Sequence, residues 1–240
     1  MHSPPPKATT AGGMRVLEAI ARIVQLGGDP ALASRVAAMR ARFEERTGAF
    51  APEDDWFEER SRAFWADAVT RARFGREIEG NLTAGEQAWL APLERAHRGL
   101  FRAEGRVLVD AWSGAELVVT VVEEASRAEL DAAAGQLFDA RVVGGAGLGA
   151  RSSDADSGLV VALLPGAVFH PRDATAAIAQ VLAAARERDL STDEVLDALL
   201  RMERMLRSLS RVKAAYAYRP EALAPRSATV PVRRTARTPT

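Results

Sequence analysis

The chain has 240 residues, 48% of them hydrophobic and 27% charged, the composition of a folded globular domain. It contains no cysteine, which excludes disulfides, thiolate zinc sites and cysteine nucleophiles and fits a reducing compartment. The formal net charge is zero but unevenly placed: from Arg201 to Thr240 ten basic residues stand against two acidic ones, Glu203 and Glu221, and the preceding residues carry the balancing acid.

The opening stretch, MHSPPPKATTAGG, is rich in Pro and Gly and has no apolar core, so residues 1–13 read as a disordered tail rather than a signal peptide. The longest apolar run, GLVVALLPGAVF, is too short to span a bilayer, and the chain reads as soluble and cytoplasmic. From Met14 the pattern is helical, and residues 14–98 form a helical region. Val16, Leu17, Ile20, Ile23 and Val24 share one face. Gly27 and Gly28 stop that helix, and Asp29 and Pro30 start the next, with Leu32, Val36, Met39 and Phe43 as its stripe. The two are expected to be antiparallel neighbours. A third helix is expected from Glu53 to Phe74, its first turn acidic and its face carrying Trp56, Phe57, Phe64, Trp65 and Val69. Thr83 and Glu86 form a capping box for a fourth, through Trp89, Leu90 and Leu93, which His97 closes.

The period then changes to two. GLFRA, RVLVDAW, ELVVTVVEE, LFDARVV and GLVVALL are short Val- and Leu-rich runs, and Trp112–Ala115 joins two of them as a hairpin. Residues 99–170 therefore read as a small, mainly antiparallel sheet or partly open barrel, interrupted by an ASRAELDAAAGQ insertion. Residues 171–218 read as a helical hairpin, opened by Pro171 and Asp173 and capped again at Ser191 and Glu194. Val195, Leu199, Met202, Leu206 and Leu209 make a seam too short for a free coiled coil. Residues 219–240 read as a disordered basic tail. The fold class is α+β, with 14–218 as one body.

The motifs with chemical content are weak. Gly145, Gly147 and Ala150 match a dinucleotide-binding spacing, but RSSDADSG follows where a helix must stand, so the stretch reads as a strand connection. Asp154 and Asp156 resemble the start of a calcium loop, but the required Glu position is Pro165. His2, His97 and His170 have no metal-ligand spacing, and no Gly-x-Ser-x-Gly elbow is present. The aromatics, Trp112 included, read as core, with Trp112 partly exposed over the helical part. No catalytic, cofactor or metal residue is assigned.

The basic end is the strongest candidate. Arg201, Arg204, Arg207 and Arg211 recur on one helix face, Lys213 and Arg219 extend it, Tyr216 and Tyr218 lie close by, and Arg226, Arg233, Arg234 and Arg237 follow. Such a surface suits nucleic acid or an acidic protein. The competing reading is that these arginines pair with the acidic body. Since lysine occurs only at Lys7 and Lys213, GC-rich codon usage explains the arginine bias, and arginine richness alone says little about phosphate. Ser227, Thr229, Thr235 and Thr238 offer phosphorylation sites that would offset the tail's charge.

Three segments, DDWFEE (Asp54–Glu59), VDAWSGAE (Val109–Glu116) and GQLFDARVV (Gly135–Val143), resemble a set of uncharacterised bacterial proteins with a D-W-F helix before a small β unit. The resemblance covers about residues 50–165 and implies the same architecture but no activity. Some of those proteins carry a SEC-C-type zinc motif, which a chain without cysteine lacks. The expected function is a non-enzymatic protein-interaction or regulatory module, with another protein as partner. The alternative is nucleic-acid or polyanion binding through the basic end, and a third reading is an enzyme whose site only the fold assembles.

Overall fold

The structure, a computed structural model, describes residues 8–121, 127–128, 130–131, 134–144, 159–209 and 211–223. The alternating segment forms β1 (His97–Glu104), β2 (Val107–Asp110), β3 (Glu116–Val121), β4 (Leu137–Gly144), β5 (Leu159–Leu163) and β6 (Val168–Phe169). β1 is shared: Phe101–Glu104 pair with β2 while His97–Arg102 pair with β4. β2 pairs with β3, β3 with β5, and β5 returns to β4, which closes a ring in the order β1-β2-β3-β5-β4-β1. Up–down alternation cannot close around an odd number of strands. One pair must run parallel, and that pair is β3 and β5. The sheet is therefore mainly antiparallel, as the sequence pointed to, with the one parallel pair making it mixed. Its order is that of the five-stranded Greek-key OB barrel. Strand periodicity fills the interior with Phe101, Leu108, Leu117, Phe138, Val142, Val161 and Leu163. Leu130 packs against this core from the β3–β4 connection, where residues 127–128 and 130–131 are helical.

β6 continues the β5 side of β4, pairing Phe169 with Phe138, with extra residues between at Pro165 and Gly166. Gly166 has φ of 99°, and a Cβ there would sit 2.6 Å from the Arg62 carbonyl oxygen. This bulge is where the barrel meets the backbone of the helix Phe57–Thr70, and it admits only glycine.

Two helical layers cover the barrel. In the first, α1 (Ala8–Gly27) buries Val16, Ala19, Ile20 and Ile23 in a core that includes Val143, Ala162 and Leu164 from the outer wall of the barrel. α2 is Ala33–Thr47, after a 3-10 turn capped by Asp29. The expected pairing of α1 with α2 does not form. α1 lies on β3 and α5 (Ala84–Gln87), and α2 lies on α8 (Thr192–Ser208), where Arg46 reaches Asp197 at 3.1 Å. α3 spans Phe57–Thr70 rather than 53–74: the Asp54 carboxylate accepts from the Ala51 amide at 2.8 Å and holds a turn, and Arg73 adopts a left-handed φ of 55°. α4 is Phe74–Glu77. The helix expected after Thr83 keeps its capping box but splits into α5 and α6 (Leu90–Glu94), since Pro92 has no N–H for the Ala88 carbonyl. His97 does not close a helix; it opens β1.

The second layer holds α7 (Thr175–Glu187), α8 and α9 (Ala214–Ala217), packed on Leu100 and Leu137 of the barrel. Val195, Leu199 and Met202 of the α8 seam are buried, and Leu209 is exposed. Arg186 stacks over Trp112, 4.7 Å from the ring centroid, and ties the β2–β3 hairpin to α7. Some residues read as tail belong to described elements. α1 begins at Ala8, and the 3-10 turn Pro220–Leu223 docks because Leu223 finds apolar cover from α7 and α8. Among the described residues no helix is long and apolar enough to cross a membrane.

Candidate functional site

Arg98 of β1 and Arg141 of β4 stand directly opposite each other on the outer wall of the barrel. Like charges at such a pair repel. Carboxylates from three elements offset the repulsion. Asp139, two residues along β4, accepts from Arg98 Nε at 3.1 Å and Nη2 at 2.6 Å. Asp197 of α8 accepts from Arg98 Nη1 at 2.6 Å, and Asp67 of α3 accepts from Arg141 Nη2 at 2.7 Å. Arg46 of α2 then bridges Asp67 at 2.6 Å and Asp197 at 3.1 Å, and Arg71 reaches Asp197 at 3.3 Å. All of these except Arg46 and Arg71 are buried. Burial opposes the charge on Asp197, but Arg98, Arg46 and Arg71 outweigh it and hold the carboxyl below its usual range. Burial would also lower Arg98, yet Asp139 and Asp197 raise it. Arg141 is lowered, by burial first and then by the charge of Arg98.

The network opens onto a cleft of about 250 Å³. Arg98 and Arg141 line it from the barrel, Thr70, Arg71 and Arg73 from the end of α3, and Glu94, Ala96 and Asp193 from the α6–β1 junction and α8. Glu94 is engaged by Arg76 at 2.5 Å. Asp193 stands off, 3.7 Å from Arg98 and 3.8 Å from Arg71. Arg73 is exposed and makes no ion pair among the described residues.

The arginines chosen from the sequence lie elsewhere and are largely turned onto the body. Arg201 donates to the Arg46 carbonyl and Arg204 to the Ala49 carbonyl. Arg204 also lies across Gly48, its Cδ 2.6 Å from where a Cβ would stand, and the φ of 95° there favours glycine. Arg207 contacts Glu203 and donates to Glu59 at 2.7 Å. Arg211, Lys213 and Arg219 remain exposed, Arg219 against the exposed Tyr216 ring. Arg226, Arg233, Arg234 and Arg237 lie outside the described residues, as do the tail's Ser and Thr sites, His2, and the Gly145–Gly158 stretch with its dinucleotide and calcium resemblances.

A second buried polar cluster sits beside these arginines. Glu203 accepts from Arg60 at 2.6 Å, both side chains 1% exposed, and Arg60 also donates to the Leu200 carbonyl at 2.5 Å. His170 is fully buried and its Nδ1 shares a 2.9 Å hydrogen bond with the Tyr218 hydroxyl. Arg60 Nη1 and His170 Nε2 have no hydrogen-bond partner among the described residues. Burial pushes His170 down to about 4, so the ring is neutral at pH 7. Burial also pushes Tyr218 and Glu59 up.

The D-x-x-S-G turn brings His97, Asp110 and Ser113 together. The Asp110 carboxylate accepts from Ser113 Oγ at 2.8 Å and from the Trp112 amide at 2.9 Å, and pairs with His97 Nε2 at 3.1 Å. Burial would raise this carboxyl, but His97 and the turn's donors hold it low. The carboxylate is the middle member, so the hydroxyl donates to an acid rather than to the imidazole. The arrangement is a capped turn and not a nucleophile–base pair.

Sequence reasoning missed Arg98, Arg141, Asp67 and Asp197. The signal was present in FDARVV, where Asp139 and Arg141 interrupt an apolar strand; charges there need buried partners. No family model, curated protein or solved structure matches the chain.

Proposed function

We propose that the chain is a non-enzymatic interaction module, in which two helical layers hold an OB-type barrel whose outer β2–β3 wall receives a partner protein. The observation that carries this reading is the composition of that wall. Val107, Val109 and Val118 face outward, half-buried, with Val107 and Val118 paired in register, and they belong to none of the three apolar cores. The described residues of β2 and β3 include no aromatic ring and no arginine or lysine. Single-stranded nucleic acid needs stacking platforms and cations on such a face, whereas a protein needs apolar area. The network's buried carboxylates are each tied to arginine, which favours scaffolding over proton transfer. A photo-crosslinking side chain at position 109, with Arg188 as the control position, tests it. A single protein band in lysate, specific to position 109 and lost on Val107→Asp, is expected. Equal labelling from both positions overturns the reading.

A second reading has its own support at the C-terminal end. Arg211 and Lys213 are exposed and lead into the basic segment, so polyanion binding would rest there rather than on Arg201, Arg204 and Arg207. Fluorescence polarisation with labelled DNA and RNA at two salt concentrations tests it, comparing the full chain with one ending at Leu223. Binding that needs the tail and falls steeply with salt supports it.

A further inference from the structure

We infer that the cleft between α3, α8 and the β1–β4 wall binds a small phosphate-bearing molecule, with Arg71, Arg73 and Arg141 holding the phosphoryl group. This goes beyond the reading of the β2–β3 wall and does not depend on it.

The argument begins with charge. The network and its rim bring together Arg46, Arg71, Arg73, Arg98 and Arg141 against Asp67, Asp139, Asp193 and Asp197. Among the described residues, Arg73 is the cation of this group without an ion-paired carboxylate. The deep carboxylates already serve Arg98, Arg141 and Arg46 at hydrogen-bond distance, while Asp193 stays beyond it and is about half exposed. Asp193 is thus a loosely held anion at the mouth of the cleft, and a stronger anion can take its place.

The second step is geometry. Arg98 and Arg141 oppose each other in register with side chains only 6% exposed, and that exposed edge faces the cleft. An anion placed between them and the rim relieves their repulsion in a site where water screens little. Arg141 is lowered by burial first and then by the charge of Arg98, which stands opposite it in register. Arginine forks match phosphate oxygens in pairs, and three forks converging from α3 and β4 suit a dianion better than a single carboxylate.

The third step is size. A cleft of about 250 Å³ is below the roughly 300–1,000 Å³ of drug-sized ligand sites. It accommodates a phosphate group and a small organic remainder. Glu94 and Asp193 stand at its edges, where a nucleic-acid backbone would carry further phosphates and be repelled. The shared chemistry is the phosphoryl group, whether free phosphate or a phosphate monoester.

The test is calorimetric titration of the full chain with sodium phosphate, with ribose 5-phosphate and with a short oligothymidylate, at matched ionic strength. Saturable phosphate or monoester binding is expected, weakened about tenfold or more by Arg73→Ala. Arg73 is exposed and has no ion-pair partner among the described residues, so the variant is expected to fold, and unchanged thermal unfolding checks it. Arg106→Ala, at the exposed β1–β2 turn, is expected to bind as the parent does. Equal affinities identify phosphate itself, and tighter ribose 5-phosphate binding identifies a monoester; either supports the inference. No saturable binding of either anion, binding indifferent to Arg73→Ala, or binding of the oligonucleotide alone overturns it.

Discussion

Asp197 and Glu203 lie on one helix, α8, and both are buried, yet their surroundings differ in kind. Asp197 serves Arg98, Arg46 and Arg71, and each of the first two also holds a second carboxylate. Its network opens to solvent through the cleft. Glu203 faces the fully buried Arg60 and also meets Arg207, and beside it Arg60 Nη1 and His170 Nε2 have no hydrogen-bond partner among the described residues. A shared, open network can lose a member and redistribute its contacts. The buried pair has less to fall back on: without Glu203 the Arg60 guanidinium keeps the Leu200 carbonyl but no carboxylate at hydrogen-bond distance.

The largest effect is therefore expected at the buried pair. Glu203→Leu leaves the Arg60 guanidinium buried and should cost about 3–5 kcal/mol in urea unfolding. Adding Arg60→Met should recover most of that loss, since an apolar pair of similar volume asks for no solvation. A double variant as unstable as the single one would break the comparison.

Next comes pH. His170 is held down from 6.5 to about 4 in the folded chain, so the unfolded chain binds the extra proton between those values. Stability then rises with pH across that window, and about 3 kcal/mol is lost on going from above pH 6.5 to pH 4. Glu59, raised chiefly by burial, works against this slope near the acid end. Asp197 is lowered, so its share is lost only as the pH falls below the usual aspartate range. Acid should thus open the His170 side first. Urea midpoints between pH 7 and 4.5 for the parent and His170→Gln check this, the variant showing the flatter profile.

Asp197→Asn comes third. Arg98 keeps Asp139 and Arg46 keeps Asp67, so about 1–2 kcal/mol is expected, well short of the Glu203 variant. Smallest is Arg71→Ala. Its side chain is 41% exposed and its bond to Asp197 is long, so thermal unfolding should move by less than about 1 kcal/mol. The same variant is expected to weaken phosphate binding in the cleft, which separates a ligand-holding role from a structural one.

Much of the architecture was legible because it is local. The Ser191–Glu194 and Thr83–Glu86 capping boxes form as read, and the five alternating runs become β1 to β5 within a residue or two of their apolar limits. The α8 stripe is buried at Val195, Leu199 and Met202, while Leu206 is half-buried and Leu209, past the helix end, is exposed. The candidate site was not legible. The regular spacing of Arg201, Arg204 and Arg207 suggested a basic face, either free or paired with the body; the carbonyls of Arg46 in α2 and of Ala49 after it take Arg201 and Arg204, and Glu59 of α3 takes Arg207.

By itself, then, the sequence determined the α+β class, the caps, the strand alternation and the apolar stripes, since each follows from the backbone period and from neighbours a few residues away. Only the tertiary structure decided that β3 runs parallel to β5, because an odd ring cannot alternate all the way round. It alone set Arg98 against Arg141, and brought Asp67 and Asp197 to them across 74 and 99 residues of chain. Buried charge is stable only where opposite charge converges on it, and convergence over such distances belongs to the packing of strands and helices rather than to any local pattern.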